Sequence, residues 1–201
     1  LVDATSRGIA IGIQGYPSRG VDEPSGELNV RGSREGFVEV IRRNMALIRR
    51  RIKSPTLVFE MMVIGERSNT DICLCYLSDK ASPKLLEDVK KRLKTVKLNT
   101  ILESGYLQPF FEGSGGWFFS ECGTCERPDS FAAKLYEGRI GILVDGTPFA
   151  LTVPYLFIEN FQTLDDYTQK PFYALFIRIV RLAAYFITLF LPGAYVAIAS
   201  Y

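Results

Sequence analysis

Four cysteines stand in two close pairs, Cys73-x-Cys75 and Cys122-x-x-Cys125. Two such pairs are the raw material of a four-thiolate zinc site or a redox dithiol. Carboxylates offer a second chemistry, because Asp3 and Asp145 each open a turn between apolar strands and together could do acid–base work. The glycine-rich loop 112–117, "EGSGGW", offers a third, phosphate binding. Each meets an objection. Cys73 and Cys75 lie in "TDICLCYL", a strand pattern in which residues two apart share a face and small thiols fill a core. Turn aspartates commonly bond their own backbone. The loop lacks the Gly-Lys-Ser/Thr ending of a P-loop and does not join a strand to a helix in the needed order. Trp117 beside it reads as a packing anchor. The chain contains no histidine, which removes Ser-His-Asp and Cys-His constellations, histidine-ligated metals and the commonest general base. No catalytic residue, metal or cofactor is therefore assigned, and the cysteines are expected to be buried, reduced thiols.

Charge is the other resource. Lysine plus arginine number 24 against 22 aspartate plus glutamate, a net +2, too balanced for a protein that coats nucleic acid. The basic residues are concentrated in 31–55, "RGSREGFVEVIRRNMALIRRRIKSP". Phe37, Ile41, Met45, Ile48 and Ile52 recur there at steps of four and three, predicting a helix with one apolar stripe. Ser33 is expected to be its N-cap, Glu35 to lie in its first turn and Pro55 to end it. Arg42, Arg43, Arg49, Arg50 and Arg51 fall largely off the stripe. They are candidates for contact with a neighbouring subunit or anionic lipid, with a plain solvated face as the alternative.

The elements that position these groups follow from pattern. Two apolar strands, "LVFEMMVIG" and "DICLCYL", flank the turn "ERSN". Ser82-Pro83 opens a helix that buries Leu85, Leu86, Val89 and Leu93 and wets Lys90, Lys91, Arg92 and Lys94. A short helical stretch, "LNTILESGYLQPFFE", follows. "ERPD" reads as a turn feeding a helix capped by Asp129 or Ser130 and stopped by Gly138. "IGILVD" and "FALTVP" form a hairpin about "DGTP". Residues 1–16 read as strand, turn, strand, and 17–33 as a linker rich in proline, glycine and charge. Strands and helices alternate, so the expected fold class is α/β, a mixed sheet flanked by helices. "LVDATSRGIAI" at 1–11 resembles "LVDGTPFALTV" at 143–153, either as a duplicated subdomain or as two similar hairpins.

After Pro154 the composition changes. From Leu182 the chain runs uncharged to Tyr201, about the twenty residues a helix needs to cross a bilayer core. Pro192-Gly193 within it is tolerated in membrane helices. Lys170, Arg178 and Arg181 lie only on its N-terminal side, which places the preceding domain in the cytoplasm. Asp165 and Asp166 are expected to cap this helix. The start at Leu1 and the absence of a charged-then-apolar leader suggest a piece of a longer chain with no signal peptide.

Several long segments carry a resemblance: "YPSRGVDEP", "VRGSREGFVEVIRRNMALIRRRIKSPTL", "GERSNTDICLCYL", "ERPDSFAAKLYEGRIGILVDGTPFALTVP" and "RIVRLAAYFITLFLPGAYVAI". In order and spacing the chain resembles the GerA family of spore germination proteins, A-type subunit, over essentially its whole length. The resemblance implies a cytosolic region of two α/β subdomains followed by a multi-helix membrane domain. The chain then divides into the end of a first subdomain (1–16), a linker (17–33), a second subdomain (34–164) and an amphipathic entry with the first membrane helix (165–201). It further implies an inner-spore-membrane receptor built with B-type and C-type subunits, responding to small nutrients and oligomerising into an ion channel. Arg31, Gly32, Glu35, Glu126, Arg127, Pro128, Asp129, Asp145 and Gly146 occupy motif positions for which the resemblance supplies no role. Cys125 replaces the threonine usual before "ERPD", and Cys122 and Trp117 fall in a variable insertion, so no family role passes to them. A sporulation-protein branch of the same family shares most of these motifs. Beside a receptor or channel subunit, the other function class is a membrane-tethered enzyme using carboxylates or thiols, which the missing histidines disfavour.

Overall fold

The structure, a computed structural model, describes residues 20–24, 26–27, 32–112, 120–163, 166 and 169–199. The expected strands at 1–16, and Asp3, Arg31, Trp117 and Asp165, lie outside the described residues.

Among the described residues, five strands form one sheet in the order β1-β2-β4-β5-β3. They are β1 Leu57–Ile64, β2 Thr70–Leu77, β3 Gly123–Cys125, β4 Ile140–Val144 and β5 Ala150–Val153. Helices α1 Ile41–Arg51, α2 Pro83–Thr95, α3 Gln108–Phe111 and α4 Pro128–Tyr136 surround it. Strand alternation decides which core each side chain joins. In β2, Cys73 and Cys75 meet Ile41, Ile48 and Phe131 from α1 and α4. Their neighbours Ile72 and Leu74 meet Val89 and Leu93 of α2 and Phe111 of α3. The sheet is thus covered on both faces, which is why β2 and β4 read as near-continuous apolar runs.

The fold class is as expected, a sheet flanked by helices followed by an apolar helix, with one correction. All four strand pairings are antiparallel rather than mixed. The chain leaves β2 as α2 on one face and returns through β3 and α4, so β4 starts beside the end of β2. There Gly138, at φ +87°, sits against the Lys80 carbonyl with no room for a side chain.

Helix α1 also departs from expectation. It begins at Ile41, not after Ser33, because residues 34–40 are tied down by other partners. Gly36 N–H donates to Asp22 O (2.9 Å) and Phe37 N–H to Glu126 O (2.8 Å). The buried Asn44 amide bridges Val38, accepting from its N–H at 2.8 Å and donating to its carbonyl at 2.6 Å. Phe37 still reaches the core, edge-on to Phe131 at 5.5 Å, but from extended chain.

Helix α5, Pro171–Ala199, has a mean hydropathy of 2.0 over its most apolar window and is long and apolar enough to cross a membrane. Its residues from Leu182 onward are almost all exposed, as expected of a surface meant for lipid rather than for the interior of a soluble domain.

Candidate functional site

The arginine helix α1 is about 16 Å long at 1.5 Å per residue, and the described motif residues gather at its two ends. At the N-terminal end, the Asp145 carboxylate accepts the Ile41 N–H at 3.0 Å. This satisfies one of the orphan donors of the first turn and places a negative charge where the helix dipole favours it. A turn aspartate was expected to bond its own backbone; this one reaches a helix far away in sequence. Gly146, at φ +89°, continues the turn and donates its N–H to Glu39 O at 2.8 Å. A residue with a side chain is strained in that conformation.

At the C-terminal end, Glu35 is held by Arg50 and by Arg51, the latter at 2.8 Å. Arg51 also donates to Ser33 Oγ at 2.7 Å. The hydrogen bond from Arg50, opposed by partial burial, lowers the Glu35 pKa. Arg49 donates to the carbonyls of Ser54 (3.3 Å) and Leu57 (3.1 Å) and lies over the Phe59 ring at 5.0 Å. Arg49, Arg50 and Arg51 thus hold intramolecular partners, so reversing Arg49 and Arg50 is not expected to leave the domain untouched. Arg42 and Arg43 are exposed on the outer face.

Beside this end lies the most deeply buried charge among the described residues. Arg127 is 0% exposed. Its Nε and Nη2 donate to the two oxygens of Asp129, at 3.1 and 2.7 Å. Nη2 also reaches Ser33 O at 2.7 Å, and Nη1 reaches Glu27 O at 3.4 Å. A planar guanidinium suits this role because it binds a carboxylate with two parallel bonds and keeps further donors for carbonyls. Burial alone would raise the Asp129 pKa, but the Arg127 and Ser130 hydrogen bonds and the nearby Arg51 charge bring it below normal. Asp129 is not the helix cap expected from sequence. The cap position is Arg127, with Pro128 at the first helical position and Asp129 in the first turn. Glu126 accepts the Gly26 N–H at 3.2 Å, and Gly32 at φ +130° turns the chain toward Ser33. The stretch that reads as a linker is thus docked along the domain through residues 22, 26 and 27.

The cysteines do not assemble into one site. Cys73 and Cys75 lie 3.8 Å apart, sulfur to sulfur, in the core beneath α1. Cys125 joins that same core, whereas Cys122 faces the opposite one. Burial pushes the Cys122 and Cys125 thiols up to about 12 and raises Cys75 as well. Metal binding and thiol exchange need the thiolate, and these environments disfavour it. Asp145 caps α1, Glu35 and Asp129 sit in ion pairs with arginines, and Glu126 accepts a backbone N–H, contacts that hold chain segments together.

Sequence reasoning overlooked a second ionic cluster at the root of α5. Asp166 accepts from Arg178 Nε at 3.1 Å and from Arg181 Nη1 at 3.0 and 2.9 Å, one to each carboxylate oxygen. Among the described residues its carboxylate meets these side chains rather than the first-turn N–H groups of α5, contrary to the expected cap. The spacing of Arg178 and Arg181 on one helix face was the only available signal.

The family model described as Bacillus/Clostridium GerA spore germination protein matches residues 1–201. Among curated relatives in Bacillus subtilis (strain 168), "Uncharacterized membrane protein YfkQ" is 40% identical over 199 residues, covering 99% of this chain and 39% of that protein. "Spore germination protein KA" is 40% identical over 199 residues, covering 99% of this chain and 37% of that protein. The chain thus spans well under half the length of these relatives. The crystal structure of the N-terminal domain of the A subunit of the Bacillus megaterium spore germinant receptor GerK3 is 44% identical, covers 61% of this chain and 97% of that one, and has a TM-score of 0.49. The motifs that clamp the arginine helix, fold the sheet domain and lead into the apolar helix all fall within the matched span, and the chain belongs to the GerA family of spore germination proteins.

Proposed function

We propose that the chain is the part of an A-type germinant receptor subunit in which a soluble α/β domain passes into the first membrane helix. The observation that carries this reading is the family match along residues 1–201, over a fold in which the domain runs on into α5. The receptor lies in the inner spore membrane, with the basic residues Lys170, Arg178 and Arg181 holding the soluble domain on the cytoplasmic side. It works with B-type and C-type subunits, forms a homo-oligomer and opens as an ion channel when a small nutrient binds. The soluble domain acts as sensor, coupler or assembly platform and performs no catalysis. Within it, Arg42 and Arg43 on the outer face of α1 are the residues for subunit or lipid contact, where basic side chains near an anionic surface gain about 1 kcal/mol each. No nucleic-acid partner is proposed.

The test is deletion of the gene in a spore former, followed by germination on a panel of amino acids and sugars. Loss of response to one nutrient class, restored by the intact gene and accompanied by co-purification of B-type and C-type subunits, supports the receptor reading. Spores that respond normally to every nutrient but form defectively would instead assign the chain to the sporulation branch.

A further inference from the structure

The cluster at the root of α5 has features that neither the family motifs nor the receptor reading assign. The Asp166 side chain is 4% exposed, while Arg178 and Arg181 are 31% and 34% exposed. Besides the two arginines, its carboxylate accepts from Thr163, through the backbone N–H at 3.3 Å and the hydroxyl at 3.1 Å. Arg181 also donates to the Phe161 carbonyl at 3.2 Å. One turn further along α5, Tyr185 packs edge-on against Phe161 at 5.3 Å and Phe157 at 6.0 Å. Both phenylalanines belong to a 3-10 helix, Phe157–Phe161.

That 3-10 helix is itself tied to the sheet domain. Glu159 pairs with Arg139, which lies between α4 and β4 and also donates to Pro154 O at 3.2 Å. Lys134 of α4 stands 3.8 Å from the same Glu159 carboxylate. Contacts therefore run unbroken from α4 through Glu159 and the 3-10 helix to Asp166, the arginines and Tyr185. The ionic part sits just before the uncharged run that begins at Leu182. A buried carboxylate meeting two guanidiniums there sets both the rotation of α5, since the arginines share one face, and the depth at which its charge stops.

We propose that Asp166 is the positioning residue of a rigid joint that fixes the orientation of α5 relative to the sheet domain through Arg178 and Arg181. The joint stands on its own geometry. Its use, carrying domain movement into the membrane helix, rests on the receptor reading above. Coupling of this kind needs a contiguous set of packed and hydrogen-bonded groups between the two moving parts, and the aromatic and ionic contacts supply one.

The test uses the full chain in lipid nanodiscs with spin labels introduced at Lys94, on the exposed face of α2, and at Ile187 in α5, and reads the distance distribution between them. A chain with the native buried cysteines only serves as the labelling control. The expected result is a single narrow distribution for the native chain, its loss in Asp166→Ala, and its retention in Asp166→Glu. A thermal melt of each variant shows whether the domain itself remains folded; Arg178→Ala/Arg181→Ala serves as a second disruption that leaves Asp166 and its Thr163 contacts in place. Narrow distributions in both disrupted variants would overturn the joint. Spores carrying Asp166→Ala at normal protein abundance should lose the nutrient response. A normal response despite a broadened distribution would leave the joint standing and overturn its coupling role, separating that failure from failure of the receptor reading.

Discussion

At the scale of single residues, Arg127 is the side chain on which most depends. It is fully buried, and its removal would strand Asp129 and leave the carbonyls of Ser33 and Glu27 without their donor. Breaking a buried ion pair from one side costs about 3–5 kcal/mol, so Arg127→Ala should lower domain stability by that order in a denaturant titration. Arg127→Lys should recover only part of it, because an ammonium cannot reproduce the two-pronged contact. The acid branch of the stability curve belongs to the same cluster. Asp129 and Glu35 both titrate below their ordinary range in the folded domain. The stability they contribute is therefore complete above their unfolded pKa values, about 4, and is lost as pH falls through the folded ones. Glu27, raised by burial, acts in the opposite sense: the stability linked to its protonated form is full at low pH and disappears as pH rises through its folded pKa. Stability measured from pH 6 down to pH 2 should fall less steeply in Asp129→Asn than in the native domain, once the different starting stabilities are subtracted.

At the scale of elements, α1 is defined by its clamps more than by its own sequence. Its first turn contains no acidic residue, and the charge that would help the dipole is borrowed from Asp145. Asp145→Ala should cost about 1 kcal/mol, the usual value of a helix cap. Asp145→Asn, which keeps an accepting oxygen, should cost less. Parallel thermal melts check the order. The amphipathic pattern identified the helix and its buried stripe, and Ile41, Ile48 and Ile52 are all in the core. It misplaced the start because Phe37, buried from extended chain beside Val38, happens to fall in step with the helical period. The decisive partners, Asn44 and the Glu126 carbonyl, are respectively a polar residue that periodicity discounts and a backbone group distant in sequence.

At the scale of the whole molecule, the division is between a sheet domain with two apolar cores and a helix whose apolar side chains face outward. Apolar side chains of α5 from Phe172 to Ile198 are exposed, and a contiguous apolar surface marks a membrane or partner contact. A chain ending before Pro171 should partition into the aqueous phase of a Triton X-114 extraction, and the full chain into the detergent phase; equal partitioning would remove the membrane assignment. The truncated chain should keep the native melt of the sheet domain, since the two hydrophobic cores draw almost wholly on residues before Pro171.

The sequence by itself determined the elements that rest on local signals. Helix α2 with its proline start, the β4–β5 hairpin, the glycine stop of α4 and the apolar reach of α5 depend on periodicity, turn chemistry and composition, all written in neighbouring residues. Long shared motifs also made the family legible. Tertiary structure alone decided the antiparallel pairing of β2 with β4, because strand direction depends on how an intervening segment returns, and no residue encodes that locally. It decided the roles of Glu35, Arg127, Asp129 and Asp145 for the same reason: each meets a partner brought near only by folding. The Asp166 clasp is the clearest case. An aspartate ahead of an apolar helix reads as a cap, and only the packing of the 3-10 helix against α5 turns its carboxylate toward two arginines instead.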